Sequence, residues 1–141
     1  MSGFLLDTNV LSELIRPKPE PKVVHWISAT DEELMFLSVL TIGEIRKGIS
    51  LHPDPAKRVK LESFLAADVL VRFASRILPL DLAIAERWGV LTARAKLNGN
   101  QTVPVVDGLI AATAQHHNLT LVTRNTKDIA ATGVQSFNPW E

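Results

Sequence analysis

Short apolar segments alternate with longer amphipathic segments along this chain, and the alternation restricts its fold more than any other feature of the sequence. The apolar segments predict β-strands, which fall at residues 3–6, 34–38, 76–80 and 119–123, with one more within 134–140. The segments between them predict helices, at residues 9–16, 22–29, 41–49, 56–66, 84–95 and 107–117. Strands that alternate with helices form a parallel sheet covered on both faces. We therefore predict an α/β protein with a three-layer α/β/α fold, one domain over residues 1–141, around a central, mainly parallel sheet of four or five strands.

The composition excludes several classes of protein and site. With 141 residues, 46% of them hydrophobic, the chain can bury the core of one domain without covalent cross-links. Cysteine is absent, which excludes disulfides, thiolate zinc sites and cysteine nucleophiles. There is no basic leader and no apolar run of about 18 residues, so we expect a soluble cytoplasmic protein with no membrane association. Fifteen basic and fifteen acidic residues cancel, so a polyanionic partner would require local positive patches or a bound metal ion.

Four acidic residues are predicted to lie at the carboxyl edge of the sheet, where ligands bind in folds of this kind. Asp7 follows the first strand, Glu44 lies on the first turn or so of the next strand's helix, Asp107 opens an alanine-rich helix, and Asp128 lies shortly after the strand at 119–123. Each has an ordinary explanation by itself. Asp107 suits a helix cap, Glu44 a solvated helix position, and Asp128 a turn.

A cluster of these four carboxylates would favour a bound cation. Two carboxylates about 4 Å apart repel by about 4 kcal/mol at an effective dielectric near 20, and a cation between them removes that cost. Without histidine or cysteine nearby, an all-oxygen site selects Mg²⁺, with Mn²⁺ as the alternative. One or two such ions can activate water for the hydrolysis of phosphate esters and attract a phosphate backbone.

Four motifs in this order resemble the PIN-domain family, and more narrowly the VapC-type toxins, including the FitB-like ones. They are "LLDTNVLSEL", "LSVLTIGEIRKGI", "VDGLIAATAQHHNLTLVTRNTKDI" and "FNPW", and the match runs essentially end to end. The resemblance implies a single PIN domain that acts as a Mg²⁺-dependent endoribonuclease and forms a homodimer. It also implies neutralisation by a VapB-type antitoxin, a higher assembly with that antitoxin, and contact with operator DNA only through it.

The resemblance assigns roles to the acidic residues by position. Asp7, Glu44 and Asp107 match the three acids of the family's metal site, and Asp7 and Asp107 match its direct ligands. The fourth acid of the family matches either Asn125 or Asp128 of this chain. Some relatives carry Asp at the position of Asn125, and others carry Asn there with an acid three residues later, where this chain has Asp128. The catalytic set implied for this chain is Asp7, Glu44, Asp107 and Asp128.

Polar neighbours of the acids complete the predicted site. Thr8 and Asn9 match residues that flank and orient the first acid, and Thr123 is expected to do the same. Arg124 is adjacent in sequence to this pocket, so we expect it to contact RNA phosphates. The apolar faces of the helices at 9–16 and 56–66 exceed the needs of a small core, and we assign part of them to a dimer interface and an antitoxin groove.

Two other functions stay open at this point. One is a phosphatase with Asp7 as its nucleophile, although haloacid-dehalogenase-type enzymes carry a second Asp where this chain has Asn9. The other is a non-enzymatic module whose acidic pocket binds a basic partner peptide. The sequence also leaves RNA and DNA undistinguished as substrates, because nothing in it reads a 2′-hydroxyl.

Overall fold

The computed structural model describes residues 3–141, and its centre is a parallel sheet. Its strands are β1 (Phe4–Leu6), β2 (Met35–Ser38), β3 (Ile77–Leu78), β4 (Thr120–Val122) and β5 (Ser136–Phe137). They lie in the order β3-β2-β1-β4-β5, and every neighbouring pair is parallel. The predicted α/β fold with a parallel sheet of four or five strands is therefore confirmed.

Helices connect the strands. They are α1 (Thr8–Leu14), α2 (Pro21–Ala29), α3 (Val39–Leu51), α4 (Pro55–Ser63), α5 (Leu70–Arg72), α6 (Leu82–Gly99), α7 (Val105–His116) and α8 (Thr126–Ile129). A π-helical segment, Phe64–Val69, joins α4 to α5, and short 3₁₀ turns lie at Glu32–Leu34 and Ala130–Thr132. No helix of residues 3–141 is both long and apolar enough to cross a bilayer.

The core consists of two clusters that involve alternate residues of the same strands. Leu6 and Leu37 belong to one cluster, with side chains of α1, α2, α3 and the π-helical segment. Leu5 and Leu121 belong to the other, with side chains of α6 and α7. Successive strand residues point to opposite faces of a sheet, so helices cover both faces, as the uninterrupted apolar strands predict.

Several helix boundaries differ from those predicted, and three of the differences have a clear local cause. Helix α3 begins at Val39, because the Ser38 hydroxyl accepts a hydrogen bond from the backbone N–H of Leu40. Helix α7 begins at Val105, so Asp107 lies within its first turn and does not cap it. The predicted helix 56–66 continues as helical backbone to Arg72, because buried Leu65, Val69 and Phe73 extend its apolar face at four-residue spacing.

Candidate functional site

Asp7 lies at the centre of the carboxyl edge of the sheet, immediately after the central strand β1, and is 9% exposed. Its Oδ1 accepts a hydrogen bond from the backbone N–H of Thr8 at 2.8 Å, which caps α1. Its Oδ2 accepts one from the Thr123 hydroxyl, also at 2.8 Å. Burial raises the pKa of Asp7, the two hydrogen bonds oppose that shift, and the negative charge of Glu44 adds to it.

The register between β1 and β4 places Asp7 beside Thr123. Leu6 pairs with Val122, and the backbone N–H of Asp7 continues the ladder to the Val122 carbonyl at 2.9 Å. The next residue of each strand therefore lies at the same edge. Since Thr123 is 1% exposed, its hydroxyl must find its partners within the protein.

The Thr123 hydroxyl is the hub of a polar network. Besides donating to Asp7, it accepts hydrogen bonds from the Asn9 side-chain amide at 3.2 Å and from the backbone N–H of Asn125 at 3.1 Å. The Asn9 Oδ1 in turn accepts from the backbone N–H of Arg124 at 3.4 Å. The start of α1 and the end of β4 are thus tied together around one carboxylate.

Glu44 reaches the same edge from α3. Because α3 begins earlier than predicted, Glu44 lies in its second turn, where its side chain is half-buried. Its Oε1 accepts a short hydrogen bond from the Thr8 hydroxyl. Thr8 therefore contacts both acids, Asp7 through its backbone N–H and Glu44 through its side chain.

Asp107 and Asp128 complete the group of acids. The chain runs from α7 into β4, so the first turn of α7, with half-buried Asp107, lies at the carboxyl edge. Burial raises the pKa of Asp107 most, and the negative charges of Asp7 and Asp128 raise it further. Asp128 is exposed on α8, where its backbone carbonyl accepts a hydrogen bond from the Gln101 side chain. Glu44 therefore acts electrostatically on Asp7, and Asp7 and Asp128 act on Asp107, although separate segments carry these acids.

The chemistry of these donors fits a hard divalent cation. The acids supply only oxygen ligands. The negative charge of Glu44 helps to raise the pKa of Asp7, and the charges of Asp7 and Asp128 help to raise that of Asp107, so a cation would relieve repulsion at both. Within residues 3–141, however, no three acidic or histidine side chains are gathered closely enough to enclose an ion by themselves. This arrangement suits a divalent cation that binds one or two carboxylates directly and keeps several of its waters.

The two histidines at the end of α7 lie away from the acidic group. His116 ends α7, at the opposite end from Asp107, and His117 follows it. Burial lowers the pKa of His117, and neighbouring His116 lowers it further. Trp88 packs against the core cluster of α6 and α7.

Sequence reasoning missed the burial of Glu13 and the contact between Trp140 and Arg124. Glu13 is a buried acid on α1, a helix that also carries polar Thr8, Asn9 and Ser12, so its burial had no signal in the sequence. Trp140 packs against the core, and its ring also lies against the Arg124 guanidinium. That contact between residues 16 positions apart had no signal in the sequence.

Comparisons with known proteins show what this chain is similar to. The family model described as PIN domain matches residues 4–134. The chain is 41% identical to toxin FitB of Neisseria gonorrhoeae over 137 residues, which cover 97% of this chain and 98% of that protein. It is 39% identical to VapC ribonuclease Y4jK of Sinorhizobium fredii over 138 residues, which cover 98% of both proteins. A solved structure of FitAB bound to an IR36 DNA fragment superposes with a TM-score of 0.93 at 39% identity, covering 98% of this chain and 96% of that one.

Proposed function

This chain belongs to the PIN-domain family, and on that basis we propose that it is the toxin of a VapBC-type toxin–antitoxin pair and acts as a Mg²⁺-dependent endoribonuclease. The names of its relatives, a toxin and a ribonuclease, support the general activity. The observation that carries the proposal is the placement of Asp7, Glu44, Asp107 and Asp128 at one edge of the sheet, brought there by four separate segments.

We assign Asp7 and Asp107 as the residues that hold the metal ion directly. Asp7 is fixed by two hydrogen bonds, so little ordering remains to be done when it binds a cation. Glu44, held by Thr8, adds negative charge and a further oxygen ligand, directly or through water. When bound, Mg²⁺ lowers the pKa of a coordinated water and neutralises charge that develops on the phosphate.

The chain's own polar residues orient these acids. The Thr123 hydroxyl fixes the plane of the Asp7 carboxylate, and Asn9 and the backbone of Asn125 fix Thr123. Asp128 contributes negative charge at the rim of the site, and Arg124 supplies the positive charge that binds substrate phosphate. Water is the nucleophile in this mechanism, so no covalent enzyme intermediate forms.

The partner in this proposal is a VapB-type antitoxin, and a groove between α1 and α4 suits it. Ile15, Leu61 and Phe64 give the groove an apolar lining, and Arg16, Lys57 and Lys60 lie along it. A segment with an apolar face and acidic flanks would be complementary to these residues. Because the similar FitAB structure is bound to DNA, we propose that operator DNA is reached through the antitoxin.

A second copy of the chain is the other proposed partner. We assign its contact to helices other than the two expected from the sequence, because Val10 and Leu11, on the apolar face of α1, are buried in the core. Helix α6 carries an exposed apolar stripe, opposite its buried one, that includes Leu82, Val90 and Leu97. Val39 and Leu51 of α3 are exposed as well. Exposed apolar side chains of this size are typical of interaction surfaces, and a homodimer is the assembly that the family resemblance implies.

The test is a cleavage assay with purified chain that is free of antitoxin. Labelled single-stranded RNA and DNA of the same sequence are incubated with a Mg²⁺ titration, for the wild type and for the variants Asp107→Asn and Asp68→Asn. Asp68 is an exposed acid of the π-helical segment and serves as the matched control. We expect Mg²⁺-dependent cleavage of RNA, lost more than about 100-fold in Asp107→Asn and unchanged in Asp68→Asn. Full activity in Asp107→Asn, or stoichiometric binding of a basic peptide without turnover, would contradict the proposal.

A further inference from the structure

The C-terminal segment folds back onto the end of β4, next to the acidic group. Strand β5 pairs with β4, and the Thr123 backbone N–H donates to the Phe137 carbonyl at 3.0 Å. The Asn138 side-chain amide donates to the Arg124 carbonyl at 3.4 Å, and the Asn138 Oδ1 accepts from the backbone N–H of Trp140 at 2.8 Å. The turn therefore fixes both the backbone of Arg124 and the position of the indole that follows.

The Arg124 guanidinium lies over the face of the Trp140 indole. The guanidinium carbon lies 5.3 Å from the centroid of the Trp140 ring, which is the geometry of a cation–π contact. Trp140 is itself half-buried against the core cluster that contains residues of α1. Glu13 of α1 lies beside it, held by the backbone N–H of Glu20 at 2.9 Å and by Arg16 at 3.1 Å. The Trp140 ring is thus held in place by the core cluster and by Glu13.

The positive charge of Arg124 stays available for an anion. The ion pairs found among residues 3–141 occupy Arg16, Arg46, Arg72 and Arg76, and none includes Arg124. Its side chain is exposed, and it directly follows the residue whose hydroxyl holds Asp7. A guanidinium fixed on one face by an aromatic ring keeps its edge N–H groups free to bind a phosphate in two-point contact.

We propose that Trp140 is a positioning residue for substrate binding: its indole face holds the Arg124 guanidinium beside the acidic group, so that the guanidinium binds the phosphate backbone of single-stranded nucleic acid. This role rests on the proposed nuclease function, since it concerns how the same site binds its substrate. It predicts that the C-terminal turn affects substrate affinity through Arg124 and through no other group.

The test combines kinetics with a double-mutant cycle. The variants are Trp140→Leu, Trp140→Phe, Arg124→Gln and the double variant Trp140→Leu/Arg124→Gln, with Arg94→Gln as the control for loss of an exposed arginine at a remote place on α6. The measurements are KM and kcat for RNA cleavage, and RNA affinity against salt in an Asp107→Asn background that does not cleave. The free energy of unfolding of each variant corrects for the folded fraction.

We expect Arg124→Gln to raise KM about tenfold or more and to lower the salt slope of RNA binding by about 0.7, the loss of one phosphate contact with a single strand. Trp140→Leu should raise KM about two- to fivefold with kcat changed less, and Trp140→Phe, which keeps an aromatic face, should largely restore it. In the Arg124→Gln background, Trp140→Leu should have no further effect on KM.

Two outcomes would overturn the assignment. If Trp140→Leu lowers stability but leaves KM and RNA affinity unchanged, the residue only anchors the C-terminus. If its effect on KM persists without Arg124, the indole contacts the substrate itself. Failure of the nuclease proposal is distinguishable, because the wild type would then not cleave RNA at any Mg²⁺ concentration, while the affinity measurements would still decide whether Trp140 acts through Arg124.

Discussion

The substitution Thr123→Val tests how the buried carboxylate of Asp7 is held. Valine has nearly the same shape as threonine, so the change leaves no cavity and removes only the hydroxyl group. That hydroxyl donates one hydrogen bond to Asp7 and accepts two, from the Asn9 amide and the Asn125 backbone. The Asn9 and Asn125 donors lie at partly exposed residues and can turn to water, whereas Asp7 is buried.

The expected loss of stability follows from the hydrogen bond that the Thr123 hydroxyl donates to Asp7. A hydrogen bond to a charged group contributes about 1.5–3 kcal/mol, and burying one more methyl group offsets about 0.8 kcal/mol of its loss. We therefore expect Thr123→Val to lower the free energy of unfolding by about 1–2 kcal/mol at pH 7. Thr123→Ser keeps the hydroxyl and should recover most of the loss due to the missing bond.

The loss of stability in Thr123→Val should also depend on pH, and the direction of that dependence follows from the contact between Thr123 and Asp7. The Thr123 hydroxyl lowers the pKa of Asp7, so its removal raises the folded-state pKa further above the unfolded value. When the pKa of an acid is higher in the folded state than in the unfolded state, the acid contributes most stability below its unfolded-state pKa. That stability is lost as the pH rises through the folded-state pKa. The difference between wild type and Thr123→Val should therefore be largest at neutral pH and smaller near pH 4.

The matched control is Thr41→Val, which makes the same change at a site that is just as buried. Thr41 is 0% exposed, and within residues 3–141 its hydroxyl has no hydrogen-bond partner. Removal of an unsatisfied buried hydroxyl should be neutral or stabilising. Urea unfolding of both variants at pH 7 and near pH 4, in the absence of divalent metal, measures these effects. Equal changes in the two variants, or a cost at Thr123 that is the same at both pH values, would refute the reasoning.

Other predictions concern the remaining acids and the packing of α7. Because burial and two negative neighbours raise the pKa of Asp107, Asp107→Asn should be at least as stable as the wild type at pH 7 while losing activity; a clear fall in its melting temperature would contradict this. Gly108→Ala should lower the free energy of unfolding by about 1–2 kcal/mol, because an added Cβ would lie 3.0 Å from two ring atoms of Trp88. Gly89→Ala, where an added Cβ meets nothing within 4 Å, should instead stabilise α6 by up to about 1 kcal/mol; urea unfolding checks both.

The general fold could be predicted because its signal is local. Leu5 and Leu6 are adjacent and both fully buried, as expected for a short strand covered on both faces. Helix starts were less predictable, because capping sets them and periodicity does not. Ser38 ends β2 and caps α3 at once, and Pro104 precedes a helix whose first two residues, Val105 and Val106, read equally well as the end of a loop.

The candidate site was predictable to the level of the sheet edge, and the reason it gathers around Asp7 lies in the strand order. Because β1 is central, its carboxyl end has β2 on one side and β4 on the other. The β2 side supplies Glu44 through α3, and the β4 side supplies Thr123 directly, 116 residues along the chain from Asp7. Sequence periodicity cannot show which strands are neighbours, so it could not assign Thr123 as the hydrogen-bond partner of Asp7. The acid that follows the central strand therefore has neighbours on both sides: a hydrogen-bond donor from the β4 side and, through Thr8, a second carboxylate from the β2 side.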